Sequence, residues 1–185
     1  MGAGVKGDPG GEGMSVGVGG GAESAVAISV GAELAPLEIA VTRTLIVSGA
    51  IASRDYQDVH HDAELAKEKG SPDIFMNILT TNGLVGRYVT DHFGPTVVLR
   101  KVAIRLGAPN YPGDTMVLTG KVTAVEQAGG SESGSESGSE SGSESGAGNG
   151  SGGATAVVRV VGANGLGAHV TGTVTVTLPK SGGQA

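Results

Sequence analysis

Apolar and polar positions recur in distinct patterns between Thr44 and Leu178, and each pattern predicts an element. Thr44 to Ser53 is a short apolar run with β-branched residues and reads as a strand. Asp62 to Lys69 reads as a short helix closed by Gly70. A long helix follows. Ser71 suits its N-cap, Pro72 its first position and Asp73 the positive end of its dipole, while Gly94 and Pro95 supply the stop. Within it Phe75, Ile78, Leu79, Leu84, Val85, Tyr88 and Val89 cover more than one face, which predicts burial on most sides. Strands come next at Thr96 to Leu106, Thr115 to Val125, Ala154 to Val161 and His169 to Leu178. The last places Val170, Val174, Val176 and Leu178 on one face and Thr171, Thr173, Thr175 and Thr177 on the other, with His169 exposed opposite the apolar side. Asn164-Gly165 supplies a hairpin turn before it.

One strand, a long helix and four further strands predict an antiparallel sheet curled round a helix. This is an α+β fold of the single-hotdog type, with one domain over 33–178. Residues 1–32 begin with a glycine-dominated stretch that buries too little apolar surface to order itself and read as a disordered tail. From Ala128 to Gly153 the chain turns to Ser, Glu and Gly, with Ser-Glu-Ser-Gly repeated from Ser131 to Gly146. This reads as a flexible acidic linker inside an expanded hairpin, since loop-closure entropy rises only slowly with length. Residues 179–185 read as a flexible C-terminus. Gly17 to Ala22 loosely spells a dinucleotide fingerprint, but no strand precedes it and no βαβ unit surrounds it.

Composition narrows the function classes. The formal charge is −6, and Glu132, Glu136, Glu140 and Glu144 of the linker supply four of those charges, so nothing marks a nucleic-acid binder. With no cysteine, disulfides and thiolate metal sites are excluded. No run reaches the roughly 18 apolar residues of a membrane span, and the glycine-rich start lacks a continuous apolar segment, so a soluble, cytoplasmic protein is expected. Met1-Gly2 begins like a myristoylation signal, but Lys6 stands where Ser or Thr is needed.

Candidate chemistry concentrates in Arg54-Asp55-Tyr56-Gln57-Asp58-Val59-His60-His61. Asp55 and His60 place a carboxylate and an imidazole five residues apart, enough to hold a water and move its protons. His61 and Asp58 adjoin the pair and read as positioning or surface residues. Arg87, Arg100, Lys101 and Arg105 suit phosphate groups, and equally suit a solvated helix and strand face. His92 reads as a helix C-terminal residue, where partial positive charge helps.

Asp55-Tyr56-Gln57-Asp58-Val59-His60, with Ala66 six residues beyond the histidine, resembles the hydratase motif of MaoC-like, R-specific enoyl-CoA hydratases: Asp, any residue, Asn, Pro, aliphatic, His, five residues, Ala or Ser. Gln57 and Asp58 replace its Asn and Pro. Ile74-Phe75-Met76-Asn77-Ile78-Leu79-Thr80 is similar to that family's Ile-Ala-His-Gly-Met-Leu-Thr, with both histidine and glycine replaced. The wording of Arg54 to Asp62, Gly70 to Thr80 and Gly86-Arg87-Tyr88-Val89-Thr90-Asp91 resembles the small MaoC-like subunits of heteromeric steroid enoyl-CoA hydratases from bacterial cholesterol side-chain breakdown.

That resemblance implies hydration of an enoyl-CoA thioester, with a steroid side chain as the acyl group. Asp55 is then the base on water and His60 the donor of a proton to the α-carbon. The backbone N–H of Asn77 holds the thioester oxygen at a helix N-terminus. No metal or redox cofactor is implied, coenzyme A being part of the substrate. The implied partners are a larger MaoC-like subunit, completing a double-hotdog unit, and a thiolase-like aldolase. Pairing also suits a single hotdog of this size, which buries too little surface for a roomy acyl tunnel. Two alternatives accompany this reading: a non-catalytic subunit shaping a partner's acyl-CoA pocket, and a hotdog thioesterase.

Overall fold

The computed structural model describes residues 28–127 and 153–179. The tail expected over 1–32 falls outside them up to residue 27, and so do the linker, apart from Gly153, and residues 180–185. Strands β1 (Glu33–Ala40), β2 (Val98–Leu106), β3 (Thr115–Gln127), β4 (Ala154–Asn164) and β5 (Gly167–Thr177) form one antiparallel sheet in the order β1-β3-β4-β5-β2. The period-2 patterning sends Met116, Leu118 and Val122 of β3, Val158 and Val160 of β4, and Val170, Val174 and Val176 of β5 to one buried face. Into that face packs helix α3 (Ile78–Phe93) through Val85, Tyr88, Val89 and Phe93. Each such side chain contributes about 1.5–3 kcal/mol of burial. Gln127 pairs with Ala154, so the Ser/Glu/Gly stretch joins the two strands of one hairpin.

The run Thr44–Ser53 is a helix, not the predicted strand: α1 spans Arg43–Ala52. The hydroxyl of Thr42 caps it by accepting from Leu45 N–H at 3.0 Å, and Ile46 and Ala50, four residues apart, bury one side. The first strand is instead β1, which the patterning does not reveal because Pro36 interrupts it. As an edge strand with a bulge between Leu34 and Leu37, β1 tolerates a residue that cannot donate to the ladder.

The long helix also begins later than Ser71-Pro72-Asp73 suggests. Ser71 Oγ donates to the carbonyl of Asp73, and Ile74 N–H donates to the Asp73 carboxylate, which closes a local turn. Phe75 N–H then donates to Val59 O and Met76 N–H to Asn110 O, each at 3.0 Å. These external acceptors hold the chain out of the helix until Asn77, whose side-chain oxygen accepts from Thr80 N–H at 2.9 Å and caps α3. Ile78 and Leu79, expected inside, are about half exposed.

His169 is 1 % exposed rather than on the solvent face. The β4–β5 register shifts between Gly162 and Ala163, so alternation fails there and His169 and Val170 are both buried. The β4–β5 turn is Gly165-Leu166, one residue later than expected, with Asn164 accepting from Leu166 N–H.

Candidate active site

Asp55 is placed by the way α1 ends. Ser53 is the C-cap and Arg54 takes a left-handed conformation, φ 57°. Arg54 N–H then donates to Ile51 O at 3.1 Å and Asp55 N–H to Ala50 O at 2.9 Å. These are the two bonds of a Schellman motif, and they fix the backbone of Asp55 against the helix.

A 3-10 turn over Asp58–His60 follows, and then α2 (Ala63–Glu68), capped by the Asp62 carboxylate. With Gln57-Asp58 in place of Asn-Pro, side chains supply the loop's rigidity. Asp58 pairs with Lys69 at 2.5 Å, and that hydrogen bond and charge hold its carboxyl below the usual carboxylate range. His61 Nε2 donates to Tyr56 O at 3.1 Å.

The two predicted catalytic residues meet. His60 Nε2 lies 3.4 Å from Asp55 Oδ2, with the histidine side chain 8 % and the aspartate 19 % exposed. His60 Nδ1 is 2.7 Å from the carbonyl of Phe75, which can only accept, so Nδ1 carries a hydrogen and Nε2 is the atom free to exchange a proton. The Phe75 ring stands edge-on to the imidazole, 5.0 Å between centroids.

Asn77, 2 % exposed, joins them through its side chain as well as its position. Its Nδ2 donates to Asp55 Oδ2 at 3.0 Å and to Ser53 Oγ at 2.9 Å. Ser53 in turn donates to Gly49 O at 2.7 Å. Among the described residues no acceptor is found for the backbone N–H of Asn77, which sits at the N-terminus of α3. An unpaired N–H at the positive end of a helix suits an oxygen that gains negative charge.

One turn into α3, Thr81 Oγ1 lies 2.9 Å from His169 Nε2, and His169 Nδ1 donates to Ala108 O at 2.6 Å. Burial pushes His169 below the ordinary imidazole range. The ring is therefore neutral, and Nε2 accepts from the Thr81 hydroxyl. This pair and the Asn77 side chain are absent from the sequence-based site. A polar residue standing where a family motif has glycine was the available signal for Asn77. For His169 the strand alternation pointed the wrong way.

The remaining candidates are not drawn in. Arg87 pairs with Asp91 on the exposed side of α3, and Arg100 Nε donates to Thr177 Oγ1. Neither these two nor Lys101 or Arg105 makes a hydrogen bond or ion pair with Asp55, His60 or Asn77. His92 does lie in the last turn of α3, but burial pushes it down from the ordinary imidazole range and favours the neutral form. Among the described residues no group of three His, Asp or Glu side chains is placed to hold a metal ion.

Similarity to known proteins extends over more than half of the chain. The family model for the MaoC like domain matches residues 27–141. The beta subunit of the 3-oxo-4,17-pregnadiene-20-carboxyl-CoA hydratase of Mycobacterium tuberculosis is 42 % identical over 152 residues, covering 82 % of this chain and 98 % of that protein. The crystal structure of the ChsH1-ChsH2 complex from the same organism superimposes with a TM-score of 0.66 at 42 % identity, over 81 % of this chain and 98 % of that one. The (R)-hydratase of A. caviae involved in PHA biosynthesis shares the fold at 17 % identity, with a TM-score of 0.63 over 84 % of this chain and 100 % of that one.

Proposed function

The chain belongs to the MaoC-like domain family, and on that premise we propose that it is the catalytic subunit of an enoyl-CoA hydratase. The observation that carries this reading is the contact of His60 Nε2 with Asp55 Oδ2 beside the unpaired N–H of Asn77. In the proposed reaction the pair starts as carboxylate and imidazolium and holds a water at its open edge. Asp55 takes one proton from the water as its oxygen bonds to the β-carbon. The π electrons move to the thioester oxygen, where the Asn77 N–H stabilises the enolate-like charge. His60 Nε2 then gives its proton to the α-carbon and the carbonyl re-forms. One proton enters the pair and one leaves, so its return to the starting state needs only a proton passed from Asp55 to His60. The oxygen is held more strongly in the transition state than in the substrate, which makes that contact catalytic.

The acyl group is proposed by likeness: the relative named above is a hydratase of a steroid carboxyl-CoA, and its extent matches this chain nearly end to end. A larger MaoC-like subunit as partner is supported by the exposed apolar side chains of Ile51 in the last turn of α1, Tyr56 next to Asp55, and Ile78 and Leu79 directly after Asn77. A thiolase-like aldolase acting on the product is proposed from the resemblance alone. The scheme uses no metal or redox cofactor, so dialysis against EDTA is expected to leave the rate unchanged.

The test is loss of the conjugated alkene of an enoyl-CoA, followed with the chain and its partner subunit present. Asp55→Asn and His60→Ala are each expected to lower kcat by about 10²-fold or more. Wild-type rates in both variants would overturn the catalytic assignment and leave a pocket-shaping subunit. Thiol release without alkene loss would make the chain a thioesterase.

A further inference from the structure

Of the polar groups of Asn77, only the backbone N–H belongs to the mechanism above. Its side chain is fully used. Oδ1 accepts from Thr80 N–H, and the two Nδ2 hydrogens go to Ser53 Oγ at 2.9 Å and Asp55 Oδ2 at 3.0 Å. The orientation of the amide is settled by chemistry: Thr80 N–H can only donate and a carboxylate can only accept. Ser53 is itself anchored to Gly49 O in the last turn of α1. The amide thus bridges the end of α1 to the start of α3, with the Asp55 carboxylate hung from the bridge.

The same carboxylate oxygen, Oδ2, receives Asn77 from one side and faces His60 Nε2 from the other. Two partners on Oδ2 leave Oδ1 with no hydrogen-bond partner among the described residues, so Oδ1 is the oxygen available to a water. The groups facing Asp55 are then His60 from the 3-10 turn and Asn77 from the α3 cap, with Ser53 behind the amide.

We infer that the Asn77 side chain is a positioning residue for the base: its amide clamps Asp55 Oδ2 and aims Oδ1 at the water. One residue thereby holds both ends of the reaction, the thioester oxygen through its backbone and the base through its side chain. This rests on the reading of Asp55 as the base. It also gives the chain a means of rigidity that does not depend on residues 57 and 58.

Two substitutions separate the clamp from the cap. Asn77→Ser keeps a good N-cap and the backbone N–H but removes the donor to Asp55. It is expected to lower kcat about tenfold, the worth of one hydrogen bond to a charged group, with KM close to wild type. Asn77→Asp also keeps the cap, but sets a second carboxylate against Asp55. The acid limb of its kcat/KM profile is expected to move to higher pH, because like charges resist joint ionisation. If Asn77→Ser keeps wild-type kcat, or Asn77→Asp an unshifted acid limb, while Asp55→Asn is inactive in the same assay, the clamp is wrong and the base assignment stands. If Asp55→Asn is itself fully active, the failure lies in the catalytic reading. Should Asn77→Ser not fold, the pH profile of Asn77→Asp decides alone.

Discussion

Arg54 holds the one positive φ outside glycine among the described residues, and it directly precedes the proposed base. A side chain in the left-handed region is strained, and here the strain completes the Schellman motif that fixes Asp55. Arg54→Gly, which adopts this conformation freely, is expected to leave kcat unchanged and urea stability within about 1 kcal/mol of wild type. Arg54→Val, β-branched and resistant to positive φ, is expected to cost about 1–3 kcal/mol and to lower kcat by misaiming Asp55. Equal kcat in the two variants would contradict that link between backbone and chemistry. At this scale the spacing of Asp55 and His60 was legible, because a motif on one short loop is local in the chain. The amide of Asn77 was not, because its contact with Asp55 spans 22 residues and exists only once α1 and α3 are packed.

Helices α1 and α3 meet at Gly49, where an added methyl would run into Oγ1 and Cγ2 of Thr80. Gly49→Ala is therefore expected to push the helices apart and cost about 1–3 kcal/mol, measured by denaturant melt. Removing the obstacle in Gly49→Ala/Thr80→Ala is expected to recover most of that loss, and an additive double variant would show that the two positions do not share this contact. The crossing also explains why Thr44–Ser53 misleads as a sequence. Its β-branched residues suit a strand, but the spacing of Ile46 and Ala50 and the small residue at 49 fit a helix lying on another helix. Strands β2 to β5 were legible because each carries a long period-2 face. Strand β1 hid behind Pro36, which is acceptable only at an edge.

The sheet presents β2 as an open edge, with Val98 and Leu99 exposed along it. Unpaired edges with apolar side chains seek a partner, which supports the proposed pairing with a second MaoC-like subunit. Light scattering on active preparations is expected to give a mass above one chain; a stable, fully active monomer contradicts the pairing. The fold is also expected to lose stability in acid through His169. Its folded value lies below the unfolded 6.5, so the neutral form is the one the fold stabilises. That contribution is complete above pH 6.5 and is lost as pH falls from there toward the lower folded value. His169→Gln is expected to flatten the fall in stability as pH drops below 6.5 relative to wild type, and parallel curves would remove His169 as the cause. Among the described residues no helix is long and apolar enough to cross a membrane.

The sequence by itself determined the sheet's inner face, the stop of α3 at Gly94, and the loop carrying Asp55 and His60, because each is written in local periodicity, a breaker residue or a short spacing. Only the tertiary structure decided that Thr44–Ser53 is a helix, that α3 waits until Asn77, and that His169 is buried. In each case the deciding partner lies far along the chain: Thr80 under Gly49, Asn110 O on Met76 N–H, and Ala108 O on the His169 ring. Local preference is worth tenths of a kilocalorie per residue, roughly 0–0.7 kcal/mol in a helix, and long-range packing and hydrogen bonding override it.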